Sequence, residues 1–226
     1  MRLLDTFFPP TCPACDALVA ADAALCDRCA ASLYANDVHC PRCALPQTGV
    51  AVVCRRCRLV PPPFQRVIAP WCYGGELATA LRRVKYGGRD GAGRRELVRP
   101  LARLLSPILA ALGDTVVPVP LGPRRLAHRG FSQADELARL ACRFARRQPP
   151  EALLIRTRET EEQAGLGALA RRRNVDGAFA ARGTTSGRLV VVDDVVTTGA
   201  TAAACARALR RAGAEEIIVV ALARAE

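Results

Sequence analysis

Lysine is almost missing from this chain. Of its 33 basic residues one, Lys85, is a lysine and the others are arginines. Arginine is a planar fork that is always charged, and lysine is a compact charge on a flexible stem, so a site built for one does not accept the other. That isolation marks Lys85 as a candidate functional residue. Aromatic residues are also scarce, at 4%, which leaves few rings for stacking nucleic-acid bases. No apolar run reaches the roughly 18 residues that a membrane helix requires. The short run ahead of Pro9-Pro10 is too brief for a secretory segment. The expectation is a cytoplasmic protein with no membrane insertion.

What is present points first to charge and to sulfur. The 226 residues allow one ordinary domain and a small appendage, and with half of them apolar a packed core is within reach. The formal charge is +12. It falls to about +8 if eight thiolates hold two zinc ions, because each four-thiolate site carries a net charge of −2. A basic surface suits polyanions, either nucleic acid or phosphorylated small molecules, but it equally describes a solvated arginine-rich exterior.

Eleven cysteines without secretory features argue for metal rather than disulfides. Eight of them form four knuckles: Cys12 with Cys15, Cys26 with Cys29, Cys40 with Cys43, and Cys54 with Cys57. Ten residues separate each knuckle from the next. The C-x₂-C spacing brings two thiolates from one tight turn onto one tetrahedral ion, and two knuckles close a structural site. Knuckles one and three read Cys-Pro-x-Cys, and knuckles two and four read Cys-x-Arg-Cys. The repeat is thus a pair of knuckles, which suggests one Zn²⁺ on Cys12, Cys15, Cys26 and Cys29 and a second on Cys40, Cys43, Cys54 and Cys57. Interleaved pairing stays open. Cys72, Cys142 and Cys205 lack the spacing and read as small apolar core residues. His39 reads as a surface neighbour of Cys40. Bulky apolar groups are few in residues 1–60, so metal would supply the missing stability. Pro61-Pro62-Pro63 suggests a stiff linker over 61–70, followed by a second domain over 71–226.

The second domain reads as alternating strands and helices. Leu97 to Leu112 carry apolar residues at helical spacing, with a kink expected at Pro100 or Pro107. Thr115 to Val117 is a β-branched run, and a helix is expected from Ser132, as N-cap, to Arg147. Leu189 to Val192 and Ile217 to Ala223 are continuous apolar strands around a helix from Gly199 to Arg211. Uninterrupted apolar strands between helices imply an α/β domain, a parallel sheet covered on both faces.

Ligands of such sheets sit beyond the C-terminal ends of strands. There the chain reads Asp193, Asp194, Val195, Val196, Thr197, Thr198, Gly199, Ala200 and Thr201. Two carboxylates emerge from the strand, and a Thr/Gly turn opens a helix. Backbone N–H groups, hydroxyls and a helix N-terminus together make a phosphate cradle, and the carboxylates suit the hydroxyls of a sugar phosphate.

This stretch resembles the phosphoribosyl pyrophosphate (PRPP) signature of type I phosphoribosyltransferases. The resemblance implies Asp193 and Asp194 on the ribose hydroxyls, Thr197 to Thr201 around the 5′-phosphate, and Mg²⁺ bound with PRPP. A narrower resemblance, to the ComF/GntX family of competence-associated proteins, rests on further motifs. These are Tyr73-Gly74-Gly75, Leu81 to Gly87 with Lys85-Tyr86, Val117 to Leu121, Arg124, Arg125, Arg129-Gly130-Phe131 with Gln133, Arg156 with Thr160 and Gln163, and Arg173-Asn174-Val175. The double zinc ribbon is typical of the same family. Ser132 departs from it, standing where Asn is expected.

The family resemblance implies a type I phosphoribosyltransferase-like domain behind a double zinc ribbon, and a role in DNA uptake, natural transformation or use of imported DNA. Lys85, Asp193 and Asp194 become the candidate catalytic residues. Lys85 and Arg129 are the candidate cations for pyrophosphate. The acceptor is not identified, and no residue pattern marks a general base. A rival reading is a non-catalytic module that binds single-stranded DNA or senses PRPP. In it the Arg171, Arg172 and Arg173 cluster meets the phosphate backbone, and DNA-uptake or recombination proteins are the partners.

Overall fold

The computed structural model describes residues 10–88, 93–158, 175 and 177–225. Thr160, Gln163, the Arg171–Arg173 cluster and Asn174 lie outside them.

Five strands form a parallel sheet: β1 (Arg66–Ile68), β2 (Trp71–Cys72), β3 (Thr115–Pro118), β6 (Arg188–Val196) and β7 (Glu216–Arg224). The order is β1-β7-β6-β3, and β2 pairs with β7 beyond β1, so β1 and β2 share one edge. A separate antiparallel pair joins β4 (Leu154–Arg156) to β5 (Phe179–Ala181). Side chains alternate across the central strands as strand geometry requires. Val190, Val192, Ile218, Val220 and Leu222 face one core, and Leu189, Val191, Ile217, Val219 and Ala221 the other. Both faces are covered, which is why these strands carry no polar alternation.

Helix α4 (Val98–Leu112) and helix α6 (Gln133–Phe144) lie in the first core with α3 (Gly75–Tyr86), and α7 (Ala200–Arg211) lies in the second. Helix α4 begins at Val98, after a 3₁₀ turn over Arg95–Leu97, and keeps Pro107 in its interior. Ser132 caps α6, its hydroxyl accepting from the Asp135 N–H at 3.4 Å. The helix stops at Phe144, three residues short of the expected Arg147. Cys142 and Cys205 are fully buried apolar packers, and Cys72 is half-buried.

The N-terminal residues carry two short helices, α1 (Asp27–Ala31) and α2 (Arg55–Leu59), each starting just after the first cysteine of a knuckle. This region is docked on the α/β domain. Cys12, Ala14, Leu25 and Cys29 join the first core. Arg83 of α3 forms an ion pair with Asp16 and donates to the Pro13 carbonyl. The segment read as a linker, 61–70, does more than connect. Its residues 66–68 are strand β1, and the backbone of 34–36 runs beside 70–72, with Asn36 N–H donating to Pro70 O and Cys72 N–H to Tyr34 O, both at 2.8 Å. Proline spacing marked only the start of that segment. The strand after it is too short to show a period, and its partner β7 lies at the far end of the chain.

Candidate functional site

The C-terminal ends of β3 and β6 open into a cavity of about 440 Å³. Strand β6 continues past Val192 to Val196, so Asp193 and Asp194 sit within the last turn of the sheet rather than in a loop. Asp193 Oδ1 accepts from the Asp194 N–H at 2.9 Å, and Asp194 Oδ1 accepts from the Val195 N–H at 2.8 Å. Each carboxylate is held by the backbone one residue on. The next turn reaches α7 through Gly199, whose φ of +72° lies in the left-handed region that favours glycine. Thr197, Gly199, Ala200 and Thr201 line the cavity. Thr198 turns away, its hydroxyl accepting from the Ala200 N–H at 3.3 Å.

Helix α3 delivers the isolated lysine. Lys85 Nζ lies 2.6 Å from Asp194 Oδ2, and both side chains are largely buried. Burial alone would lower the Lys85 pKa, but the charges of Asp194 and Asp193 outweigh it and hold the ammonium above its ordinary range. Asp193 is raised as well, which for a carboxyl favours the neutral form. Its removal from water, with the charge of Asp194 beside it, raises its pKa to about 7.

Arg129 ends helix α5 (Pro123–Arg129) and is 9% exposed. It donates to Gln133 Oε1 at 3.0 Å and to the Tyr86 hydroxyl at 2.9 Å, with its guanidinium 4.9 Å from the Tyr86 ring centre. Gly130, at φ +76°, makes the tight exit toward α6. Gln133 Nε2 is buried and has no partner among the described residues, a donor at the cavity wall. Tyr73, Arg125 and Arg156 line the same cavity. Motif residues spread from 73 to 201 are thus brought together at one site.

The sequence reading did not single out Arg82, which also lines the cavity. It falls within the Leu81 to Gly87 motif, but in an arginine-rich chain nothing there sets it apart from Arg83 beside it. Nor did it single out Arg224, whose signal was a charge ending the apolar run from Ile217.

The eight knuckle cysteines fall into two clusters, Cys12/Cys15/Cys26/Cys29 and Cys40/Cys43/Cys54/Cys57. Their sulfurs lie within 4.8 Å of one another in each. The sequential pairing is therefore the one adopted. Cys15 and Cys26 sulfurs are 3.7 Å apart, and those of Cys43 and Cys54 are 3.8 Å apart. A tetrahedral ion with Zn–S bonds of about 2.3 Å needs edges near 3.8 Å, so both clusters fit structural zinc. His39 is not in either cluster. Its ring Nδ1 donates to the Asn36 carbonyl at 2.5 Å.

Comparison with known proteins agrees with both halves. Residues 3–58 match the double zinc ribbon domain, and residues 127–226 match the phosphoribosyl transferase domain. The chain is 35% identical to the DNA utilization protein YhgH of Escherichia coli O157:H7 over 139 residues, covering 58% of this chain and 59% of that one. The Shigella flexneri protein of the same name matches over the same length at 35%. The Salmonella typhi protein is 34% identical over 127 residues, 53% of this chain and 54% of its own. The aligned part spans about three-fifths or less of these relatives. No helix among the described residues is long and apolar enough to cross a membrane.

Proposed function

Because this chain belongs to the ComF/GntX family, joining a double zinc ribbon to a phosphoribosyltransferase domain, we propose that it binds PRPP at the ends of β3 and β6 and transfers phosphoribose to an acceptor nitrogen, in the service of DNA utilization. The observation that carries this is the Lys85–Asp194 pair, 2.6 Å apart beside the Thr197–Thr201 turn. A lone lysine on one helix and a carboxylate on the central strand meet where a sugar diphosphate would need both.

In this reading Asp193 and Asp194 accept hydrogen bonds from the ribose hydroxyls, and the turn from Thr197 to Thr201 donates to the 5′-phosphate. Lys85 exchanges Asp194 for the pyrophosphate and, with Arg129, neutralises it as it leaves. The ribose C1–O bond to pyrophosphate breaks, a C1–N bond to the acceptor forms, and the acceptor nitrogen gives up its proton to the departing pyrophosphate. Magnesium bound with PRPP would lower the charge on the leaving group. A cation beside Asp193 suits a carboxylate whose pKa is raised to about 7 by burial and by Asp194. Val195 and Val196 complete the strand that carries the turn, and both line the cavity. Two structural zinc ions hold the ribbon.

The name of the relatives, DNA utilization protein, supports a DNA-related role. A non-catalytic module that binds PRPP or single-stranded DNA is the second reading, favoured by the arginines Arg82 and Arg125 on the cavity wall. Isotope-traced turnover of PRPP, with and without single-stranded DNA and with a panel of nitrogenous bases, separates the two. Pyrophosphate release coupled to a labelled ribosylated product is the expected result. PRPP binding without any turnover would leave the module.

A further inference from the structure

Arg224 is 2% exposed, the lowest value among the buried polar and charged residues of the described part of the chain. It is the last residue of β7 and pairs in register with Val196, the last residue of β6. Its Nε donates to the Cys43 carbonyl at 2.9 Å, and its Nη1 donates to the Val196 carbonyl at 3.2 Å and to that of Ala225. No carboxylate lies within ion-pair distance of it among the described residues. A buried guanidinium without a counter-charge is costly, and carbonyls supply only partial charges. Burial holds its pKa below the ordinary arginine range, and the sulfurs of Cys43 and Cys54 in the second cluster work against that shift while Arg56 adds to it. With zinc bound, four thiolates carry a net charge of −2.

The arrangement places the turn before α7 against the ribbon. Val196, Thr198, Gly199 and Ala200 share a second cavity, of about 370 Å³, with Cys43 and Cys57. One side of the turn thus faces the cavity at the sheet ends, and the other faces the second cysteine cluster.

We propose that Arg224 is a positioning residue that couples the second zinc site to the Thr197–Thr201 turn. The loaded sulfur cluster fixes the Cys43 carbonyl and balances the guanidinium, and the guanidinium in turn pins the Val196 carbonyl where the turn begins. The phosphate side of this inference rests on the PRPP reading above. The coupling itself does not.

The test uses the full zinc-loaded chain and three readouts: zinc release to a chromogenic chelator, hydrogen exchange of amides 197–201 without ligand, and calorimetry with Mg·PRPP. In Arg224→Met one zinc should leave about tenfold faster while the other is unchanged. Exchange in the turn should rise and PRPP affinity fall by about tenfold each, the scale of a lost buried charge-assisted hydrogen bond. Arg224→Lys should be intermediate, since an ammonium keeps the charge but cannot span both carbonyls. Cys57→Ser, which opens the second site from the other side, should also speed exchange in the turn. A folded Arg224→Met with wild-type zinc release and wild-type exchange overturns the coupling, as does a change in one without the other. If Arg224→Met does not fold, unchanged exchange in Cys57→Ser overturns it equally. Wild-type protein that does not bind PRPP sinks the phosphate-site reading alone, because the zinc and exchange readouts still decide the coupling.

Discussion

Lys85 Nζ and Asp194 Oδ2 lie 2.6 Å apart, joining a helix that carries the first zinc ribbon to the strand that ends at the candidate phosphate turn. The pair is buried enough for each partner to depend on the other. Removing Lys85 leaves two adjacent carboxyls without their nearest cation, which is the expensive way to break a buried pair.

Asp194→Asn should weaken Mg·PRPP binding by roughly ten- to a hundredfold, corresponding to about 1.5–3 kcal/mol for a charge-assisted hydrogen bond. Lys85→Met should weaken it comparably and slow any turnover further, because the ammonium serves the leaving group. Calorimetry reports the first effect and pyrophosphate release the second. Unchanged affinity in Asp194→Asn would reduce the motif to a structural turn.

Asp193 titrates near neutrality, about 7, raised by burial and by Asp194. A raised folded-state pKa means the native chain holds a proton that the unfolded chain has already lost. Its stabilising contribution is complete below about pH 4 and is lost as pH rises to about 7. The stability of Asp193→Asn relative to wild type should therefore increase from pH 4 to pH 7 and then level off. Denaturant midpoints across that range check it. If a divalent cation binds beside Asp193, Mg·PRPP binding at pH 6.5 should release protons, visible as a dependence of calorimetric heat on the buffer.

Gly199→Ala forces a Cβ into left-handed backbone at φ +72°, at a cost of about 1–2 kcal/mol. The nearest obstacle to that Cβ is Val196 Cγ1 at 4.0 Å, so the cost is conformational and not a clash. Thermal stability should drop modestly, and PRPP affinity should drop with it because the turn is displaced.

Metal analysis should find two zinc ions per chain in wild type, one per cysteine cluster. Cys57→Ser should retain about one, the change being confined to the second cluster. Cys12→Ser should cost more overall stability, since Cys12 and Cys29 are part of the sheet's first core. A reproducible wild-type value near one zinc would overturn the two-site assignment.

Binding of single-stranded DNA, if it runs through the basic surface, should be sequence-tolerant, and its log K should fall by about 0.7 per neutralised phosphate for each unit of log salt. Reversing the charge at Arg171, Arg172 and Arg173 should flatten that slope and leave PRPP binding intact. Loss of PRPP binding with DNA binding retained would assign the cluster to the small-molecule site.

Sequence by itself determined the chemistry available and most of the local elements. Knuckle spacing identified eight metal-ligating cysteines because tetrahedral sulfur geometry demands two thiolates from one turn. Continuous apolar runs at 189–192 and 217–223 announced buried parallel strands, because a sheet covered on both faces has no wet side. The run from Asp193 to Thr201 was legible as a strand end and a turn into a helix, because a Thr/Gly turn directly follows the apolar run. What lay beyond the sequence was everything that depends on distant segments meeting. Equal gaps between knuckles left the pairing open until the sulfurs were brought together. Lys85 was conspicuous by its isolation, but only the packing of α3 against the sheet aimed it at Asp194. Strand β1, three residues long, exists because the edge of β7 is there to pair with it. Arg224 looked like the polar end of a strand. Only the docking of the second ribbon buries it, between the Cys43 and Val196 carbonyls, because hydrogen bonds across 181 and 28 residues of chain leave no trace in local pattern.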